Sequence, residues 1–400
     1  MKKKLKQILS ALLVAGMLVG FAPIGGIDFT PKAKAMDLSS YKVGDLIEFG
    51  SYPQSEVTDS NLISKIESAG ANISWIDYNY YAGTGKSEDG NMKSVKDMML
   101  YKDITYGGNK YRAVKINQYR PSKTGDTIPP KIKYQYLNGY HTGNTYYFKY
   151  EPLIWRVLDP SEGYVMCNQI IDSQAYQNFV YYKGGEYYNS KACANYASDW
   201  VTSSLRQWLN NDFYNTAFTS EEKARIGTSH LENKSTYSKN YDSADTYDKI
   251  FLISYYDAIN SAYGFGLVNG AHYNTTRQMK GTDYAKCQGQ YVRLGYGRTS
   301  WWILRSPLDC VDSEAVGENG GQSSHSYLVC NNEGISPAFK FNPKSTICDV
   351  HDYKAVVTEP TCTEQGYTTY ICTKCNDSYV DNYTNALGHD FGEWKLTTPA

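Results

Sequence analysis

Three cysteines toward the C-terminal end stand at a spacing that can do chemistry. Cys372 and Cys375 form a Cys-x-x-Cys pair, Cys362 precedes them, and His351 and His389 flank the group. Two thiolates at that spacing can close on one tetrahedral ion, and three cysteines with one histidine complete a zinc set. Either His351 or His389 can supply the nitrogen, and the sequence does not choose. Such a zinc site would be closed and structural, not catalytic. The same thiols have a second outlet in an exported chain: Cys362 can pair with Cys372 or Cys375 in a disulfide, leaving the third for a partner such as Cys348.

These residues belong to a repeat. His351-Asp352-Tyr353 recurs as His389-Asp390-Phe391, and Thr358-Glu359-Pro360-Thr361 is echoed by Thr397-Thr398-Pro399-Ala400. Residues 346–388 therefore read as a small Cys-rich β repeat, and 389–400 as the start of a second, truncated copy. The arrangement resembles tandem Cys-rich repeats at the C-termini of exported surface proteins.

A second candidate is the run Trp301-Trp302-Ile303-Leu304-Arg305-Ser306-Pro307. Adjacent tryptophans either pin a core or offer a ring to a sugar. Strand alternation would turn one of Trp301 and Trp302 inward and the other outward. Arg305 carries a rigid fork suited to carboxylates or carbonyls of a nearby loop. Trp301, Trp302 and Arg305 are thus the candidate ligand-binding residues. Trp155 and Trp208 read as core, the first inside an apolar strand and the second on an apolar helix stripe.

Little else points to catalysis. Cys310 and Cys330 bracket a Gly- and Ser-rich loop, which suits a bracing disulfide better than a reactive pair. His141, His230, His272 and His325 stand singly in polar loops. No nucleophile elbow, phosphate-binding glycine loop or His-Glu-x-x-His run occurs, and the carboxylates are too scattered to show a glycosidase pair.

The bulk properties narrow the class. The chain has 400 residues, a net charge of −1 and 41% hydrophobic residues, ample for a large core and poor for nucleic acid as a partner. Tyrosine is abundant, 39 copies against 12 Phe and 7 Trp, which suits wet recognition faces or half-buried strands. Lys2, Lys3, Lys4 and Lys6 precede an apolar run from Ile8 to Phe21, and Ala33-Lys34-Ala35 is a small-x-small cleavage site before Met36. Residues 1–35 therefore read as a secretory signal peptide. The apolar run is shorter than the ~20 residues a bilayer requires, and no later segment could span one. The mature chain is expected to be secreted or at the cell surface.

The elements that must hold these residues mix irregularly. Val43 to Gly50 reads as a strand entering a glycine turn. Ser60 caps a short helix carrying Leu62, Ile63 and Ile66 and stopped by Gly70. Residues 80–145 read as loops and short strands. Ile154–Leu158 and Tyr164–Cys167 form a hairpin around Asp159–Gly163. A helix follows Ser198-Asp199, with Val201, Leu205, Trp208 and Leu209 on one stripe. Thr219 with Glu222 makes a capping box on a helix closed by Gly227, and Ser254 with Asp257 starts another after a strand at Ile250–Ile253. The pattern is α+β, not alternating βαβ.

Several ordered motifs carry a family resemblance: Gly50-Ser51-Tyr52-Pro53-Gln54, Ile154-Trp155-Arg156-Val157-Leu158, Ser204-Leu205-Arg206-Gln207-Trp208-Leu209-Asn210, Asp248-Lys249-Ile250-Phe251-Leu252-Ile253-Ser254, Thr282-Asp283-Tyr284-Ala285 and the Trp301 run. From about Tyr41 to Asn342 the chain resembles an uncharacterised domain family of exported proteins from Gram-positive bacteria. That family looks related to formylglycine-generating enzymes and, more remotely, to C-type lectins. The resemblance implies a loop-rich, lectin-like domain over residues 36–345. Glu151-Pro152-Leu153 lacks the Asn of the sugar-binding motif of calcium-dependent lectins, and no cysteine matches the copper-binding pair of the enzymes. The resulting expectation is an exported, non-enzymatic binding or adhesion protein with a glycan or surface protein as its extracellular partner. The alternatives are a diverged formylglycine-generating-type oxidoreductase and a purely structural surface module. Zinc analysis with thiol counting separates the two readings of the repeat. One zinc per repeat with no titratable thiol before chelation marks the metal site; no metal and a reducible bridge marks the disulfide.

Overall fold

A computed structural model describes residues 38–78, 98–120, 122, 131–177, 180–183, 186–189, 196–266, 274–293, 297–321, 327–328, 331–342, 352–373 and 378–388. Residues 1–35, read above as a leader, Cys193, Cys330, Cys348, Cys375, His272, His325, His351, His389 and residues 389–400, read above as the start of a second repeat, lie outside the described residues.

The described chain is mixed and strand-rich. Its longest strand, Thr145–Asp159, is buried at Phe148 and Tyr150 and then at Leu153, Trp155 and Val157. That alternation faces a core on one side, and its phase slips at Glu151-Pro152. We number the first strands in chain order: β1 (Leu46–Glu56), β2 (Ile76–Asp77), β3 (Met99–Tyr106), β4 (Asn109–Ile116), β5 (Thr145–Asp159), β6 (Tyr164–Cys167) and β7 (Asp172–Ala175). β1 lines one edge of β5; β4 and then β6 line the other, with β3 and β2 beyond β4 and Ala338–Lys340 beyond β6. A second sheet runs in the order Tyr327–Leu328, Asp312–Val316, Trp302–Pro307, Asn332–Ile335 and β7. Its only parallel pairing among the described residues joins Trp302–Pro307 to Asn332–Ile335. Trp155 from the first sheet and Trp302 from the second belong to one hydrophobic core.

Local signals fixed much of this. The expected hairpin of β5 and β6 forms, with its turn one residue shorter, since Asp159 pairs with Tyr164 and the turn is residues 160–163. Both capping boxes form, at Thr219 with Glu222 and at Ser254 with Asp257. The first helix, Ser60–Ala69, ends at Gly70, but its cap is Asp59, whose carboxylate accepts from Asn61 and Leu62 backbone N–H groups.

Other expectations are corrected. Gly50 is not a turn: β1 continues through it, with φ +72° at a register shift between Glu48 and Ser51. Where loops and short strands were expected before residue 145, the described residues include a longer regular hairpin, β3 and β4, closed by Gly107-Gly108 with positive φ at both residues. Paired left-handed residues match the twist of a two-residue hairpin turn. Ile250–Ile253 is buried but forms no ladder; Phe251 makes a single bridge to Ala338. The helix after Asp199 begins only at Ser204, where the Ser203 hydroxyl accepts the Arg206 N–H at 3.1 Å. The Cys-rich segment contains three antiparallel strands, Tyr353–Thr358, Gly366–Cys372 and Ser378–Thr384. Among the described residues no helix is long and apolar enough to cross a membrane.

Gly50 is where a side chain has no room. A Cβ there would stand 2.6 Å from the Phe218 ring and 2.8 Å from the Ala217 carbonyl oxygen. The φ is also one that residues with a side chain adopt only under strain. Gly50→Ala is expected to lower stability by about 2–4 kcal/mol, read as a shift of the denaturant midpoint at unchanged slope.

Candidate functional site

The segment after Ser203 is helical at Ser204–Trp208, opens into a π turn at Leu209–Phe213, and returns to α-helix at Tyr214–Ala217. Leu205, Leu209 and Phe213 are buried. The opposite face, Trp208, Asn211, Asp212 and Asn215, lines a cavity of about 550 Å³. A π turn widens the helix by one residue and is common at functional sites. The far wall is Asp77 of β2, Tyr78 just after it and Tyr101 of β3, with the Tyr78 and Tyr101 rings 4.6 Å apart.

The floor is a buried polar network. Asp172, at the start of β7, accepts the Tyr52 hydroxyl at 2.8 Å, the Ser173 N–H at 2.7 Å and the Gln174 amide at 3.2 Å. Burial nevertheless pushes its carboxyl up to about 6. Beside it, Arg112 reaches Asp103 through two bonds, Nε to Oδ1 at 2.7 Å and Nη2 to Oδ2 at 3.0 Å. Its Nη1 donates to the Tyr284 hydroxyl at 3.3 Å, and its guanidinium lies 4.3 Å from the Tyr101 ring centre. Burial works against the Asp103 charge, but the bonds from Arg112 and Tyr150 hold its carboxyl below the usual range. Tyr284 in turn meets the Tyr78 hydroxyl at 2.9 Å. Rings, amides and carboxylates in one open cavity can stack on a flat face of a ligand and bond its hydroxyl or amino groups.

The expected site residues lie elsewhere. Trp302 is fully buried, and its indole N–H donates to the Arg277 carbonyl at 3.1 Å, so its ring is a core element and not a ligand platform. Arg305 is buried as well, with Nη1 on the Leu252 carbonyl at 2.8 Å and on Asp257 at 3.2 Å. The guanidinium ties these neighbouring segments through Nη1, as its chemistry allowed. Trp301 is the half-exposed member, and its ring packs against Gly317, where a Cβ would come within 3.0 Å of it. The alternation of this pair is as expected; the outward ring meets a neighbouring loop. Trp155 is core, whereas Trp208 is half-buried and lines the cavity, a residue whose place on the apolar stripe hid its second face. Tyr52, Trp208 and Tyr284 all lie in motifs that carry the family resemblance, which was the available signal for this site.

Cys362 is exposed and Cys372 is buried at the end of its strand; their proposed co-ligands Cys375, His351 and His389 lie outside the described residues. Among the described residues no three His, Cys, Asp or Glu side chains converge as a metal site would require. Cys167 and Cys287 are buried with thiols pushed up by burial, Cys167 to about 12, the reverse of an activated thiolate. Cys310 is half-buried, and Cys330 is outside the described residues.

A family model described as a domain of unknown function (DUF6273) matches residues 167–343, so a domain of that description spans this stretch. No curated protein and no solved structure matches the chain. The matched span begins at the last residue of β6 and includes Ala338–Lys340, which pairs with β6. The main sheet is therefore completed by β1 to β5, which precede the matched residues.

Glu333 sits directly opposite Gln174 across the pairing of Asn332–Ile335 with β7. It is buried, no hydrogen bond or ion pair reaches it among the described residues, and burial pushes its carboxyl up to about 8. Its folded pKa lies above its unfolded value of about 4.3, so its contribution is greatest below that value and is lost as pH rises toward 8. Asp172 acts in the same direction over the lower window, from about 3.9 to about 6. Glu333→Gln is expected to stabilise the fold above pH 8 by on the order of 2 kcal/mol and to flatten the upper part of the stability–pH curve. Urea denaturation across pH tests this; an unchanged slope between neutral and alkaline pH would count against it.

Proposed function

We propose that the chain is an exported surface protein, with a lectin-like domain related to formylglycine-generating enzymes over residues 36–345. It acts by binding an extracellular glycan, and the Cys-rich repeat serves as its spacer. The observation that carries this reading is the cavity between Trp208 and the Tyr78–Tyr101 pair, ringed by Asn211, Asp212 and Asn215. Aromatic faces take the apolar face of a sugar ring, and short amides and carboxylates take its hydroxyls. The N-terminal leader pattern and the ordered motifs support export and the fold relationship.

Binding is preferred over oxidation because the cavity holds rings and hydrogen-bonding groups, and no cysteine stands among its described lining residues. A glycan array followed by calorimetry tests it. Trp208→Ala is expected to weaken the best array ligand by about tenfold or more while leaving the melting temperature within a few degrees. A silent array, or a Trp208→Ala chain that binds undiminished, would remove the proposal.

A further inference from the structure

We infer that the saccharide bound in this cavity carries a free amine, making the ligand a cationic amino sugar and not a neutral glycan; this rests on the reading that the cavity binds a saccharide. The cavity walls combine ring faces with carboxylates. Asp172 lies at the floor and Asp212 at the rim, with Asp77 on the β2 side.

Among the described lining residues the one cation is already answered. Arg112 has Nε and Nη2 on Asp103 and Nη1 on Tyr284, so its charge is matched within the wall. Lys110 approaches the same Asp103 at 3.3 Å but does not line the cavity. Lys223 bonds the Asn215 amide oxygen at 2.8 Å and lies over the Tyr214 ring.

Asp212 is different. No hydrogen bond or ion pair reaches its carboxylate among the described residues, and it stands one turn after Trp208 on the same helical face. Arg112 already lies against the Tyr101 ring, but a carboxylate one turn from an indole is a pairing that holds an ammonium group: the ring attracts the cation and the carboxylate neutralises it. Asp172 lies beneath, but bonds from Tyr52, Ser173 and Gln174 and the nearby buried Arg120 offset its charge, so Asp212 is the carboxylate left for a ligand.

The test uses the full chain and two probes of one backbone, an N-acetylglucosamine tetrasaccharide and the fully de-N-acetylated glucosamine tetrasaccharide. Calorimetry is run at low and high salt, below the pKa of the amine. The free-amine probe is expected to bind about tenfold tighter, a preference that shrinks in high salt. Asp212→Asn, at an exposed position with no internal partner, should fold normally by thermal melting and bring the free-amine probe down to the level of the acetylated one. Trp208→Ala should weaken both. Equal binding of the two probes, or a preference that survives Asp212→Asn, overturns the charge inference and leaves the glycan reading standing. Failure of both probes beside Trp208-dependent array binding of neutral glycans does the same. If neither the probes nor the array gives Trp208-dependent binding, both readings fall together.

Discussion

The indole of Trp155 is the registration point of the main sheet. It lies in the second half of β5, fully buried, and donates its N–H to the Phe49 carbonyl of β1 at 2.6 Å. A buried indole N–H without an acceptor would cost about 1–3 kcal/mol, so β1 must present that carbonyl there and nowhere else. Phe49, Phe218, Phe339 and Phe341 close around it, with the Trp155 and Phe339 rings 4.7 Å apart and Phe49 and Phe341 4.9 Å apart. One cluster thereby joins the first strand, the end of the helical segment and the last strand of the sheet. The bulge at Gly50 follows from it, because the Phe218 ring occupies the space a side chain would need. The Gly50 N–H is taken by Glu222, the same carboxylate that completes the capping box with Thr219.

Around the cavity a second constraint operates, since buried charges must be met. Asp103, Arg112, Tyr284 and Tyr78 form a chain of bonds from β3 and β4 to the short helix Asp283–Cys287, and Tyr52 with Asp172 joins β1 to β7. The Tyr52 ring also packs edge-on to Tyr284 at 5.6 Å. This network brings both sheets to one floor, and the abundance of tyrosine has a physical reason there. Each ring fills core volume while its hydroxyl answers a charge that phenylalanine would leave unpaired.

What the sequence disclosed depended on range. Capping boxes, the β5–β6 hairpin and the stop at Gly70 use neighbouring residues, so they were legible. The β3–β4 hairpin was not, because buried positions there carry charge: Lys102 is buried with Nζ on the Gly70 carbonyl at 2.6 Å, and Arg112 is buried against Asp103. Such pairs erase the apolar alternation that announces a strand. The Trp301 run was legible as a marker and misleading as a site. Its compact chemistry is explained by Arg277, Leu252, Asp257 and Gly317, which close on it from other parts of the chain. The cavity was illegible for the complementary reason: Tyr52, Tyr78, Tyr101, Asp172 and Trp208 come from five separate elements or connections, and no local spacing unites them.

The π turn explains how one short helical segment serves core and cavity together. A regular helix keeps an apolar stripe on one side, and on that pattern Trp208 belongs with Leu205 and Leu209. The wider turn at Leu209–Phe213 breaks the phase, so Leu209 and Phe213 stay buried while Trp208 and Asp212 face the open side. Phe213 then holds the turn in place from beneath. Its ring lies 5.3 Å from Tyr52, 5.6 Å from Trp208 and 5.8 Å from Phe218. The cavity wall is thus anchored both to Tyr52 of the floor network and to the aromatic cluster around Trp155. A change in either would be felt at Trp208, which makes the geometry of the binding face a property of the whole core and not of the helix that carries it.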